Sequence, residues 1–147
     1  MASTNTTSRG FTLVELSVVL AVALVTMAVA LPGYSAQVRK SRAMPALMEL
    51  SATGIRMEKA FQRNHQYGAG GKCAVSDAEV EHFSMHCSLS GDGRGYTLDA
   101  VGHGPMTGYH YRTDEKGHQQ TISLPQAGDA ATAPLPCWSP DGRACGA

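Results

Sequence analysis

The feature that most constrains this chain is an apolar run from Phe11 to Leu31, in which Glu15 is the only ionisable residue. About 20 apolar residues, at a rise of about 1.5 Å each, cross a hydrocarbon core of about 30 Å. The run therefore predicts a membrane-spanning helix. A carboxylate at membrane depth is expensive and marks a functional residue by default. Glu15 is accordingly the first candidate functional residue.

A short polar segment precedes this run. Residues 1–10 are polar and end in Arg9-Gly10, immediately before Phe11. An ordinary secretory signal places its apolar core before the cleavage site, whereas here the apolar run follows the candidate junction. Cleavage between Gly10 and Phe11 would leave the hydrophobic helix on the product. We therefore interpret residues 1–10 as a leader that is removed.

Helical periodicity continues beyond Pro32. Proline removes a helical N–H and clashes with the carbonyl four residues earlier, but the apolar spacing resumes at once, so we predict a kink at Pro32. The resumed stripe follows steps of three and four residues, as one face of a helix does. Its members are Ala43, Leu47, Leu50, Gly54, Met57 and Phe61, and the stripe is widened by Met44, Met48 and Ile55. Residues 12–64 are thus predicted to form one helix, with an amphipathic second half that needs a packing partner.

The apolar period changes from 3.6 to 2 in the second half of the chain. Glycines predict a loop over residues 65–72, and a short helix or turn is expected over 76–81. Alternating segments separated by short turns predict an antiparallel meander. These segments are residues 83–89, 96–100, 109–111 and 120–124. The predicted fold class is α+β, with the long N-terminal helix packed on a three- to four-stranded antiparallel meander and Trp138 over the sheet.

The four cysteines, Cys73, Cys87, Cys137 and Cys145, form no CxxC pair and fit no common zinc spacing. Downstream of a membrane-targeting segment, they indicate disulfides formed in an oxidising compartment. Three connectivities are possible. We favour Cys73–Cys87 with Cys137–Cys145, because each of these bonds closes a short loop that contains turn-forming residues.

The composition argues against several functions. Lys+Arg and Asp+Glu are both 12, so the chain lacks the positive excess of a protein that coats nucleic acid. His82 and His86 can share a strand face, but no neighbour completes a metal-ligand set. No nucleophile–base constellation is evident. We expect no catalytic residue, no metal and no cofactor, and a near-neutral surface suits self-assembly.

The residues around the junction resemble the N-terminal signature of type IV pilins and pseudopilins. They are Gly10, Phe11, Thr12-Leu13-Val14-Glu15-Leu16, Pro32 and Tyr34. The tail from Cys137 to Cys145 is similar to that of small minor pilins of the type IVa system. The resemblance implies that a prepilin peptidase cleaves after Gly10 and N-methylates Phe11. It also implies that Glu15 pairs with the N-terminal amine of a neighbouring subunit during assembly.

On this resemblance the chain divides into a leader (1–10), a hydrophobic transmembrane and assembly helix (11–34) and a periplasmic or extracellular globular pilin domain (35–147). The resemblance implies a cytoplasmic N-terminus in the inner membrane, then a place in the cell-surface pilus. The basic residues Arg39, Lys40 and Arg42 favour the opposite orientation, and we follow the resemblance. The implied partners are other pilin subunits, the peptidase, the pilus assembly machinery and inner-membrane lipid.

Three functions follow from the resemblance. The first is a structural subunit of a type IV pilus, in particular a minor pilin. The second is a pseudopilin of a type II secretion system, which residues 1–34 do not distinguish from a pilin. The third is a fibre-tip minor pilin that captures DNA, which would need an electropositive strip beside an aromatic side chain. The candidates for that strip are Lys72, Arg94, Arg112 and Lys116, with Tyr109 as the aromatic.

Overall fold

The computed structural model describes residues 12–125 and 132–145, with the side chains of residues 29–33 outside that description. The chain divides into two compact units, Met1–Ser35 and Ala36–Ala147. Helix α1 (Leu13–Asn64) begins in the first unit and ends in the second, so the prediction of one long helix is confirmed. The backbone is helical through Pro32, and the kink there stays a prediction.

Local signals explain where α1 begins and ends. Thr12 caps the first turn, because its Oγ1 accepts a hydrogen bond from the Glu15 backbone N–H at 3.3 Å. At the other end, His65 adopts a positive φ of 55° and its N–H donates to the Phe61 carbonyl at 2.7 Å. A left-handed residue directly after the last turn is a common way to end a helix.

The rest of the second unit is antiparallel β structure. Strands β1 (Gly68–Ala69) and β2 (Lys72–Cys73) form a small hairpin. Five further strands form a meander in which each pairs with the next: β3 (Ala78–Val80), β4 (Phe83–Leu89), β5 (Tyr96–Gly102), β6 (His110–Asp114) and β7 (Gln119–Ser123). A 3₁₀ turn, Gly104–Met106, joins β5 to β6. The predicted α+β class, with a long helix and an antiparallel meander, is therefore confirmed.

Two segments differ from the prediction. The predicted loop over residues 65–72 contains hairpin β1–β2, because Gly70 and Gly71 both take positive φ values, as a tight two-residue turn requires. The predicted helix or turn over 76–81 contains strand β3. Glu81, at a φ of 44°, turns the chain back so that Val80 pairs with Phe83. The meander consequently has five strands, where three or four were expected.

The core lies between the second half of α1 and one face of the meander. The helix contributes Ala43, Ala46, Leu47, Leu50 and Met57, and the sheet contributes Phe83, Met85, Tyr96, Leu98, Ala100 and Tyr111. Along β5 every second residue is buried, as expected for a strand with one covered face. The amphipathic half of the helix thus finds its partner in the apolar face of the sheet.

The predicted stripe of α1 is buried at Ala43, Leu47, Leu50 and Met57, but two of the residues that widen it are not. Met48 and Ile55 were assigned to it, but their side chains are 63% and 59% exposed. The buried positions include Ala46, Thr53 and Ala60, which recur every seven residues. At about 100° per residue, Met48 lies about 140° around the helix from Ala43. The buried side therefore combines small residues with Leu47, Leu50 and Met57.

A polar contact secures β3 at the edge of the sheet. Asp77 accepts a hydrogen bond from the Cys87 backbone N–H at 3.0 Å, and its other oxygen lies 3.0 Å from His86 Nδ1. The hydrogen bonds from His86 and then Cys87 lower the pKa of Asp77. A carboxyl group with a depressed pKa stabilises the fold above its unfolded-state pKa, and this contribution is lost as pH falls.

We predict that Leu50→Ala lowers the free energy of unfolding by about 2–5 kcal/mol, because Leu50 is fully buried and its truncation leaves a cavity. Met48→Ala is the matched control, with an expected change within about 0.5 kcal/mol since its side chain is exposed. Urea unfolding of the full chain in detergent micelles, followed by Trp138 fluorescence, measures both. Equal effects of the two substitutions would contradict the observed packing.

We predict that Asp77→Asn lowers stability at pH 7 by no more than about 1 kcal/mol, because the contact is exposed. The deficit relative to the wild type shrinks as pH falls below about 4, where the wild-type carboxyl also protonates. The measurement is urea unfolding between pH 2 and 7, with Glu81→Gln as the control. A deficit that does not change with pH would rule out the carboxylate contact as its cause.

Candidate functional site

Glu15 lies in the first turn of α1, in the apolar segment that the sequence singles out. Its side chain is exposed, and among the described residues no basic group lies within ion-pair distance of its carboxylate. A negative charge near a helix N-terminus is favourable because of the helix dipole. Gly10 and Phe11, the predicted cleavage and methylation positions, lie outside the described residues.

The helix around Glu15 is apolar on every side. Ten large apolar side chains between residues 13 and 27 are more than half exposed: Leu13, Val14, Leu16, Val18, Val19, Leu20, Val22, Leu24, Val25 and Met27. Monomeric soluble proteins rarely expose a continuous apolar surface of this extent. A helix that is apolar all round is typically covered by lipid or by other helices.

The other polar side chains of residues 12–28 have partners within the helix. Ser17 Oγ donates to the Val14 carbonyl at 2.7 Å, and Thr26 Oγ1 lies 2.9 Å from the carbonyls of both Val22 and Ala23. Hydroxyls bonded in this way need no partner from water. Within residues 12–28, Glu15 is therefore the polar side chain that has no partner among the described residues.

A membrane span was predicted for residues 11–31. Over the part of the chain whose side chains are described, no helix is long and apolar enough to cross a membrane. The side chains of residues 29–33, which include the end of the predicted span and Pro32, lie outside that part.

Two disulfides tie the globular unit together. The structure joins Cys73 to Cys87, which links the β1–β2 hairpin to β4, and Cys137 to Cys145, which closes the C-terminal loop. Thr121 on β7 holds this loop to the sheet, since its hydroxyl donates to the Cys137 carbonyl at 2.7 Å and accepts from the Ser139 N–H at 2.9 Å. One sign of this role is visible in the sequence, namely a threonine at an inward-facing strand position.

Four of the histidines lie beside a carboxylate. Each contact joins one histidine to one carboxylate: His86 to Asp77, His103 to Glu79, His110 to Asp99 and His118 to Asp114, at 2.6–3.4 Å. Within residues 12–125 and 132–145, no three His, Cys, Asp or Glu side chains are grouped so that they could hold a metal.

Two residues suggested for the electropositive strip, Tyr109 and Arg112, are engaged within the fold. Tyr109 is 4% exposed, so its ring offers no stacking surface. Arg112 donates from Nε to Asp99 at 2.8 Å, and this carboxylate offsets its charge. Tyr109 directly precedes β6 and is in phase with the buried positions of that strand, Tyr111 and Thr113, so its side chain also lies in the core.

Comparisons with known proteins bear on the N-terminal segment. The prokaryotic N-terminal methylation motif matches residues 5–31, which contain Gly10, Phe11 and Glu15. A type IV pilin from Shewanella oneidensis aligns with a TM-score of 0.46 and 23% sequence identity, over 69% of this chain and 98% of that one. The search of curated proteins found no significant match.

The motif covers Gly10 to Leu16, where the resemblance found in the sequence begins, but not Pro32 and Tyr34. It overlaps the apolar first part of α1, and the antiparallel meander follows later in the chain. The chain thus combines the N-terminal methylation motif with a long helix and an antiparallel β-sheet, and in this combination it is similar to type IV pilins.

Proposed function

We propose that this chain is a minor pilin, a structural subunit of a type IV pilus. In this proposal the prepilin peptidase cleaves between Gly10 and Phe11 and methylates Phe11, and residues 11–34 hold the product in the inner membrane until it enters the fibre. One observation carries the proposal. The methylation motif coincides with a helix whose apolar surface is uncovered and whose carboxylate, Glu15, has no ion-pair partner among the described residues.

In the proposed assembly step, Glu15 pairs with the amine of Phe11 of a neighbouring subunit. The surroundings of Glu15 are apolar side chains, so the attraction between the two charges is only weakly screened. Removing two charges from water costs much of this gain, and the pair therefore contributes more to specificity than to net stability. A subunit inserted out of register would leave Glu15 without its partner, which makes this pair a register-setting contact.

The globular unit fits a position outside the cytoplasm. Two disulfides reinforce it, and such bonds persist in oxidising compartments. The outer face of the sheet is polar, with Asp99 accepting from Arg112 and lying 2.6 Å from His110 Nε2. A head of this kind would remain in water while the apolar helix is covered in the membrane or the fibre.

A pseudopilin of a type II secretion system is the alternative with the same N-terminal signature. The disulfide between Cys137 and Cys145 favours the pilin, because it resembles the C-terminal loop of small minor pilins. The genes adjacent to that of this chain separate the two. Pilus assembly genes would support the pilin, and secretion genes would support the pseudopilin.

We predict that Glu15→Ala leaves membrane insertion and leader cleavage intact but lowers incorporation into fibres by about a hundredfold or more. Removing one member of a buried ion pair leaves the other charge unpaired, at a cost of about 3–5 kcal/mol. The measurement compares the amount of the chain in sheared fibres with the amount in the membrane fraction.

Ser17→Ala is the matched control in the same helix, because the Ser17 hydroxyl bonds only to the Val14 carbonyl in its own helix. Its incorporation should equal that of the wild type. Normal incorporation of Glu15→Ala would contradict the proposed pairing, and equal loss in both variants would indicate that any change in this segment disrupts the helix.

A further inference from the structure

A cleft of about 360 Å³ lies in the second unit between α1 and the turn that joins β6 to β7. We name it the turn cleft. Its apolar walls include Ile55 and Trp138, and its polar lining includes Glu58, Tyr96, Glu115 and Lys116. The cleft takes no part in the proposed processing and assembly of the N-terminal helix.

The hydroxyl of Tyr96 is an unused polar group in the cleft wall. Tyr96 is only 5% exposed, and within the described residues its hydroxyl has no hydrogen-bond partner. Burial, and then the charges of Glu58, Glu115 and Asp114, raise its pKa to about 12, so the hydroxyl keeps its proton at neutral pH. The hydroxyl oxygen itself is open to the cleft, since among the described residues every fully buried side-chain N or O atom has a hydrogen-bond partner. A group that enters the cleft can therefore hydrogen-bond to it.

The carboxylates of the cleft differ in what they already bind. Asp114 is occupied, because it accepts from the backbone N–H groups of Lys116 and His118 and lies beside the His118 ring. Glu58 accepts from the Tyr67 hydroxyl through one oxygen at 2.8 Å. Over the described residues, Glu115 has no ion pair or hydrogen bond. Three carboxylates and one ammonium, from Lys116, line the cleft, so its charge is net negative.

The carboxylates and apolar walls of the cleft favour a ligand that has a cationic group on an apolar stem. The free oxygens of Glu58 and Glu115 and the Tyr96 hydroxyl can accept from a guanidinium or an ammonium group. Trp138 and Ile55 supply apolar surface for the methylene stem, as long basic side chains prefer. A lysine or arginine side chain combines both parts.

The same chain carries such side chains in an unpaired cluster. Arg39, Lys40 and Arg42 fall within about one turn of α1, and none has a carboxylate partner among the described residues. Arg42 precedes Glu58 by about 24 Å along the helix axis, at about 1.5 Å per residue. That distance is too long for a contact between the two within one copy.

We propose that the turn cleft receives a basic side chain from residues 39–42 of a second copy of this chain. The two surfaces lie at different heights on α1, so the contact joins copies that are displaced along the helix axis. A heterologous contact of this kind, repeated from copy to copy, generates a ring or an open helical filament. The proposal rests on the function proposed above and adds to it that this minor pilin enters the fibre in runs of at least two adjacent copies.

Charge reversal in the full chain, expressed with its assembly machinery, tests the proposal. Glu115→Lys should lower the amount of the chain in sheared fibres at least about tenfold, since it places like charges opposite each other. The pair Lys40→Glu with Arg42→Glu should do the same, and combining all three changes should restore most of the yield. Glu81→Lys is the matched control, because Glu81 is exposed and lies away from the cleft.

A crosslink locates the contact directly. The photoreactive residue p-benzoylphenylalanine at Ile55, on the cleft rim, should form a dimer of this chain in fibres, joined within residues 36–44 of the second copy. The same residue at Val101, which is exposed at 40%, should not give that product.

Crosslinks to another protein or another segment, or failure of the triple change to restore the yield, would overturn the proposed contact while wild-type fibres still support the pilin function. Absence of the wild-type chain from fibres would instead contradict the pilin function itself.

Discussion

The second unit depends on the burial of one helix face against one sheet face. From Ala43 to Ala60 the buried side of α1 consists of small and medium residues at heptad spacing, and the meander offers an inner face that includes Phe83 and Tyr111. Neither face is stable in water alone, because an amphipathic helix and a one-sided sheet each leave an apolar surface uncovered. The hairpin, the disulfides and the C-terminal loop are all attached to this two-layer core.

The hairpin and the C-terminal loop are each fixed to a part of this core. The Cys73–Cys87 disulfide fastens the β1–β2 hairpin to β4, which already contributes Phe83 and Met85 to the core. The C-terminal loop is held by Thr121 and by Trp138, whose Nε1 donates to the Arg112 carbonyl at 2.9 Å. Trp138 in turn forms a wall of the turn cleft, so the proposed docking surface is a product of how the tail closes over the sheet.

The first half of α1 differs from the second in that its large apolar side chains are exposed. It exposes Leu13 and nine further large apolar side chains, satisfies its hydroxyls internally and leaves Glu15 unpaired within residues 12–28. A stable folded protein covers such a surface with something else, and the methylation motif over residues 5–31 agrees with a helix that functions by association. The proposed pair between Glu15 and a neighbouring amine gives this association a register that apolar contacts alone do not supply.

The sequence predicted the long helix and strands β4 to β7 because their periods extend over enough residues to be read. It missed β1, β2 and β3, whose two or three residues are too short to show alternation and which form through glycine turns and pairing with neighbours. It assigned Met48 and Ile55 to the buried stripe because hydrophobicity does not reveal which side a sheet covers. The turn cleft was not predictable, since its walls come from four segments that are distant in sequence and that packing brings together.

The central claim is that this chain is processed at the Gly10–Phe11 junction to give a free amine that Glu15 of a neighbour can bind. Mass spectrometry of the mature chain, purified from the membrane and from sheared fibres, tests that claim most directly. The account predicts an N-terminal peptide that begins at Phe11 and carries one added methyl group on its amine. A mature chain that retains Met1 and residues 2–10 would contradict it.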